Sequence, residues 1–133
     1  MAFSDPGKGR IIEQGEGLVR VTLAEACKAG DILGYSSGWK RALATTGTAV
    51  QGRLVAGEAG AIGDVVTAYR RAVVSGYSGG TAGAAVYVAE GSDNGRVTET
   101  QPTTSGDCDT LIGYMASATV AALEPGSRID STA

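Results

Sequence analysis

The chain issues one instruction three times: a glycine turn, then a short aliphatic run that ends in tyrosine. The copies are Gly30-Asp31-Ile32-Leu33-Gly34-Tyr35, Gly63-Asp64-Val65-Val66-Thr67-Ala68-Tyr69 and Gly83-Ala84-Ala85-Val86-Tyr87. Glycine supplies the backbone angles of a tight turn, and β-branched or aromatic residues fit a pleated, half-buried surface. A chain written this way builds short strands joined by turns. The period of the copies is too irregular for a solenoid.

The segments between the copies agree. Residues 18–23 alternate as a half-buried strand does, and residues 31–35 and 39–44 flank a Ser36-Ser37-Gly38 turn. Residues 64–69 and 72–75 read as two strands divided by an Arg70-Arg71 corner. Asn94-Gly95 predicts that strands 84–89 and 96–99 pair as a hairpin. Residues 111–116 and 120–123 form a last hairpin, closed by Pro125-Gly126. Thr22-x-x-Glu25 resembles a capping box and predicts one helical turn over residues 24–28. Roughly ten strands at about 8–12-residue spacing, without a long helix, predict an all-β fold: a compact single-domain barrel or sandwich.

We place that β-rich domain at residues 18–126, with an extended N-terminal arm over 1–17 and a C-terminal tail over 127–133. The arm is polar and carries Pro6, Gly7, Gly9, Gly15 and Gly17, with Phe3, Ile11 and Ile12 as its main apolar content. Fixing the backbone costs roughly 1–2 kcal/mol per residue, and burying three large side chains returns roughly 1.5–3 kcal/mol each. The arm therefore needs strand pairing as well, and a partner molecule is the expected source. The rest of the chain is thin in large apolar groups: of 133 residues 21 are glycine and only seven are aromatic. A thin core with many turns favours completion by a partner surface.

Composition also narrows the chemistry. The net charge is −3, and the eleven cations are scattered rather than gathered in a basic stripe, which argues against direct nucleic-acid binding. No apolar run approaches the roughly 20 residues of a membrane-spanning helix. The first ten residues hold no hydrophobic signal-peptide core, so synthesis in the cytosol is expected. Cys27 and Cys108 match no zinc or redox spacing and are expected as free thiols. The absence of histidine removes the commonest general base and metal ligand. Residues 75–81 are glycine-rich but lack the lysine of a phosphate loop, and read as a turn. Asp31 and Asp64 offer a pair of carboxylates, yet each follows a glycine at a strand start, where aspartate caps the turn by accepting from backbone N–H groups. Asp107-Cys108-Asp109 lacks the oxygen-ligand spacing of a calcium loop. No catalytic residue, cofactor or metal is expected. Recognition falls to the aromatic and apolar groups, with Trp39, beside a turn, as the aromatic most suited to reach a neighbour.

Residues 50–124 carry a further pattern: Gly83, Val86-Tyr87-Val88, Gly95, Thr98, Pro102, Gly106 and Ile112-Gly113. This succession resembles the capsid decoration, or cement, proteins of tailed phages. The resemblance implies a non-catalytic virion protein, made in the host cytoplasm. Such a protein sits, often as a homotrimer, on the outside of the expanded head and clamps major capsid protein subunits. It gives the arm a use as a strand donated across a seam, with Ile11 and Ile12 as anchors. Phe3, Ile11, Ile12 and Trp39 make up the candidate interface. Two alternatives stand beside this reading: a tail-fibre or baseplate structural module, which shares the same texture, and a small carbohydrate-binding or hydrolytic β-module using its carboxylates.

Overall fold

The computed structural model describes residues 2–133. Among them lie nine strands: β1 (Ile11–Thr22), β2 (Ile32–Tyr35), β3 (Trp39–Arg41), β4 (Leu54–Ala56), β5 (Val65–Ser75), β6 (Ala85–Val88), β7 (Val97–Thr98), β8 (Leu111–Met115) and β9 (Val120–Leu123). One 3-10 turn follows at Pro125–Ser127. All the strands join a single antiparallel sheet, in the order β3-β2-β4-β5-β9-β8-β6-β7, with β1 on β5. The fold is all-β, as the turn spacing predicts, and the sheet curls into a half-barrel.

The turns account for the sequence repeat. In residues 28–31, 61–64 and 81–84 the last N–H donates to the first carbonyl, at 3.1, 3.0 and 3.0 Å. The third position of each is glycine, with φ of 87° at Gly30, 90° at Gly63 and 85° at Gly83. That left-handed angle at the third residue marks a type II turn, which a side chain would strain. The expected β6–β7 hairpin is present, pairing Tyr87 with Thr98 and Val88 with Val97.

The longest element is the β1–β5 ribbon. It pairs Ile12 with Val74, Glu16 with Arg71, Leu18 with Tyr69 and Thr22 with Val65, interrupted by a bulge at Glu13. A strand has two edges, and β1 runs along one edge of β5. The other edge is divided: β4 pairs at Ala68 and Tyr69, and β9 pairs from Ala72 to Ser75. The change of partner falls at Arg70-Arg71. Opposite it, Gly17 sits at φ 69° and twists the ribbon. So the expected corner is a switch of neighbours inside one continuous strand, rather than a break between two.

Both ends of the curled sheet are stitched. Ala24 N–H donates to Trp39 O at 2.9 Å, where β3 meets the chain just beyond β1. Beyond β3, Ala44 N–H donates to Ala89 O at 2.9 Å and Gly95 N–H to Ala42 O at 2.8 Å. Two apolar clusters result. Val21, Leu23, Leu33, Leu54, Ala56, Val66 and Ala68 fill the curl of β1, β2, β4 and β5. A larger cluster holds Ile32, Val55, Val74, Val86, Val88, Ile112, Met115 and Leu123. Residues 24–28 do not form the expected helical turn. They run extended, with a bridge from Cys27 to Gly60, because the Glu25 carboxylate accepts from Arg41 N–H and Nε at 3.0 and 2.9 Å instead of capping a helix.

The boundary drawn at residue 17 falls inside β1, and the strand partner of residues 11–17 is β5 of the same chain. What holds the segment before it is a buried cluster of charge. Arg10, whose side chain is fully buried, bonds Asp5 Oδ2 at 3.2 Å, the Gly30 carbonyl at 3.3 Å, and Asp31 Oδ1. Asp5 also accepts from Gly7 N–H at 2.8 Å and Val97 N–H at 3.0 Å, and Asp31 accepts from Lys28 N–H at 2.8 Å. Burial works against the Arg10 charge, but Asp5 and Asp31 outweigh it and hold its pKa above the usual arginine value. The C-terminal residues dock too: Arg53 pairs with Asp130, and Ala133 N–H donates to Asp107 O at 2.8 Å.

Removing one member of a buried ion cluster leaves its partners uncompensated. Arg10→Met is expected to cost about 3–5 kcal/mol in chemical denaturation. Arg71→Met, which removes a half-exposed pair with Glu16, should cost less than about 1 kcal/mol.

Candidate functional site

The carboxylates that offered acid–base chemistry are engaged in turns. Asp31 Oδ2 accepts from Lys28 N–H and Asp64 Oδ2 from Ala61 N–H, each three residues back, at 2.8 and 2.9 Å. A repeated local motif performs a repeated local task. Asp31 is additionally bound to Arg10. In the acidic loop, buried Asp107 accepts from Thr46 N–H at 2.7 Å and Thr46 Oγ1 at 2.6 Å, bracing two loops against each other. Hydrogen bonding with Glu90 and Thr46 holds the Asp107 carboxyl below its usual range, while the same contact raises Glu90. Among the described residues no three acidic, histidine or cysteine side chains converge as metal ligands.

The four residues of the candidate interface divide. Phe3 is half-buried and stacks on buried Tyr77, with ring centroids 5.8 Å apart. Ile12 packs against the larger cluster, and Trp39 against the smaller one with its ring edge-on to Tyr35 at 5.5 Å. Only Ile11, 60% exposed, faces outward. The missed surface residues are Leu18, Tyr114 and Leu111, which lie on strand faces turned from the core. Strict alternation in β8 (Leu111 out, Ile112 in, Tyr114 out, Met115 in) breaks at buried Gly113, which blurred the period in the sequence.

These residues define an outer face. Cross-strand pairing sets Gln14, Val73, Ala122 and Tyr114 in one row across β1, β5, β9 and β8. A shallow cleft of about 250 Å³ lies along it, lined by Gln14, Glu16, Arg71, Val73, Tyr114 and Ala122 among others. Small side chains form its floor, with a tyrosine at one end and an ion pair, Glu16–Arg71, at the other. On the far side of the molecule a second cleft of about 210 Å³ lies over the charge cluster, lined by Cys27, Lys28, Asp31, Arg41 and Arg96 among others. Lys28 brings positive charge there, while Arg41 and Arg96 are paired with Glu25 and Asp93.

Both cysteines are unpaired and buried. Burial pushes the Cys27 thiol up to about 11, with the Asp31 charge adding to it. Burial likewise raises Cys108 and the Tyr77 phenol. No family model, curated protein or solved structure matches the chain.

A thiol whose pKa is raised in the folded state favours folding below its unfolded value and loses that contribution as pH climbs through the folded one. For Cys27 the window runs from the ordinary 9.0 to about 11. The stability difference between wild type and Cys27→Ala should shrink by roughly 2–3 kcal/mol across it, as measured by urea unfolding at stepped pH. A thiol reagent should also react slowly with the folded chain at pH 8.

Proposed function

We propose that this protein is a non-catalytic structural component of a phage virion: a decoration protein that binds the outside of the mature head and holds major capsid protein subunits together. The observation that carries this reading is the outer face of β5, β9 and β8. Large apolar groups stand in water there, Tyr114 51% exposed and Leu111 39% exposed, around small residues and inside a charged rim of Glu16, Arg71 and Glu124. An apolar centre with a polar rim is the anatomy of a protein–protein contact. The engagement of Asp31 and Asp64 in turn capping supports the same reading over a hydrolytic one. The likeness of residues 50–124 to decoration proteins supplies the partner.

Thermodynamically the role is linkage. A ligand that binds only the expanded lattice stabilises it in proportion to the logarithm of its concentration over its dissociation constant. The protein need only present a rigid face, and the sheet behind Tyr114 is fully packed: Ile112 and Met115, its neighbours along β8, are completely buried.

Mixing the purified protein with expanded, undecorated heads of its cognate phage should give co-sedimentation and added surface density in negative stain. Tyr114→Glu should weaken that binding at least about tenfold while leaving the thermal midpoint unchanged, because the side chain is on the surface. Bare heads after mixing would overturn the proposal. Density on tails instead would assign the chain to a fibre or baseplate.

A further inference from the structure

The open edge of β1 is written to pair with itself. Among the described residues, β1 has β5 as its only strand partner. At its end, Leu23 N–H points to β5, donating to Asp64 O at 2.9 Å, while Ala24 N–H points the other way, to Trp39 O. Successive residues of a strand send their backbone groups to opposite edges. Counting back from Ala24, the groups on the open edge belong to Thr22, Arg20, Leu18, Glu16 and Gln14. The β5 register runs unshifted through Gly17, from Leu18–Tyr69 to Glu16–Arg71, so the alternation holds across it. All five side chains are exposed.

These five residues are complementary to their own reverse. With two copies antiparallel and Leu18 opposite Leu18, each Glu16 meets the other copy's Arg20, and each Gln14 meets Thr22. Every facing pair is then one that exchanges backbone hydrogen bonds. Other registers fail by charge or by burial. Centring on Glu16 or on Arg20 sets like charges face to face; centring on Gly17 or Val19 sets Leu18 against a charge. Like charges directly opposite are destabilising in a sheet, so the pattern selects one register and penalises its neighbours. Leu18, 62% exposed, lies beside Tyr69 in its own chain, and the pairing makes an apolar strip of two leucines flanked by two tyrosines.

We infer that two copies of this chain associate edge to edge through β1, about a twofold axis at Leu18. The contact is closed: pairing uses both open edges, the Glu13 bulge ends it on one side and the Trp39 bridge on the other. A closed isologous contact gives pairs rather than fibres.

The test is the mass of the full-length protein in solution, measured by sedimentation equilibrium without any head present. Leu18→Lys should halve the mass of the wild-type species. Glu16→Lys and Arg20→Glu should each do the same, through like charges across the axis. An equimolar mixture of those two variants should restore it, since the two introduced charges then face each other and the two remaining native ones do likewise. The restored species shows that the variants are folded. A wild-type mass that Leu18→Lys leaves unchanged would overturn the contact, and a mixture that stays dissociated would overturn the register. This inference is independent of the virion reading: paired copies that ignore phage heads would sink only the latter, and unpaired copies that bind them only the former.

Discussion

The placement of every strand traces back to one buried guanidinium. Arg10 gathers Asp5 from the segment before β1, Asp31 and the Gly30 carbonyl from the turn before β2, and through Asp5 the N–H of Val97 in β7. Three stretches far apart in sequence are thereby fixed around one point. A buried charge tolerates little variation in geometry, because any shift leaves a group unpaired in a medium that cannot solvate it. Arg10 also directly precedes β1, so its anchoring sets where the β1–β5 ribbon begins and hence its register. Apolar packing alone, in a core so rich in alanine and valine, would specify that register weakly.

The turns were legible in the sequence because each depends on a local rule: glycine at one position, aspartate at the next. The hairpins followed from the same rule. What the sequence concealed was non-local. Asp5, Arg10 and Asp31 look like any other solvated charges until the fold brings them together, and an arm judged by its three large apolar side chains appeared to need an outside partner. Arg70-Arg71 signalled a corner because two adjacent charges rarely sit in mid-strand. They are tolerated there because β5 changes neighbours at that point and both side chains reach water. Glu25 was misread for a related reason, since its role is set by Arg41, 16 residues away.

The candidate interface was less legible than the fold. Large aromatic groups such as Phe3 and Trp39 drew attention by size, but a core poor in such residues recruits them inward. The outward groups are ordinary strand residues whose direction depends on register. Ile11 is outward while Ile12 is inward, and only the pairing with Ser75 and Val74 decides between them. Glu16 is the residue shared by both exposed features, since it lines the cleft toward Tyr114 and also points its backbone to the open edge of β1. The two surfaces are therefore adjacent and distinct.

The central strand has a kinetic implication. β5 takes its three neighbours from residues 11–22, 54–56 and 120–123, almost the full span of the chain. Contacts of such long sequence separation pay loop-closure entropy before they return any energy. Neither half of the polypeptide contains the partners it needs, so nascent fragments emerging from a ribosome stay unstructured until the last hairpin arrives. Folding is then a late, whole-chain event on a timescale of about milliseconds to seconds, and a chain interrupted before residue 120 leaves half of one edge of β5 without a partner.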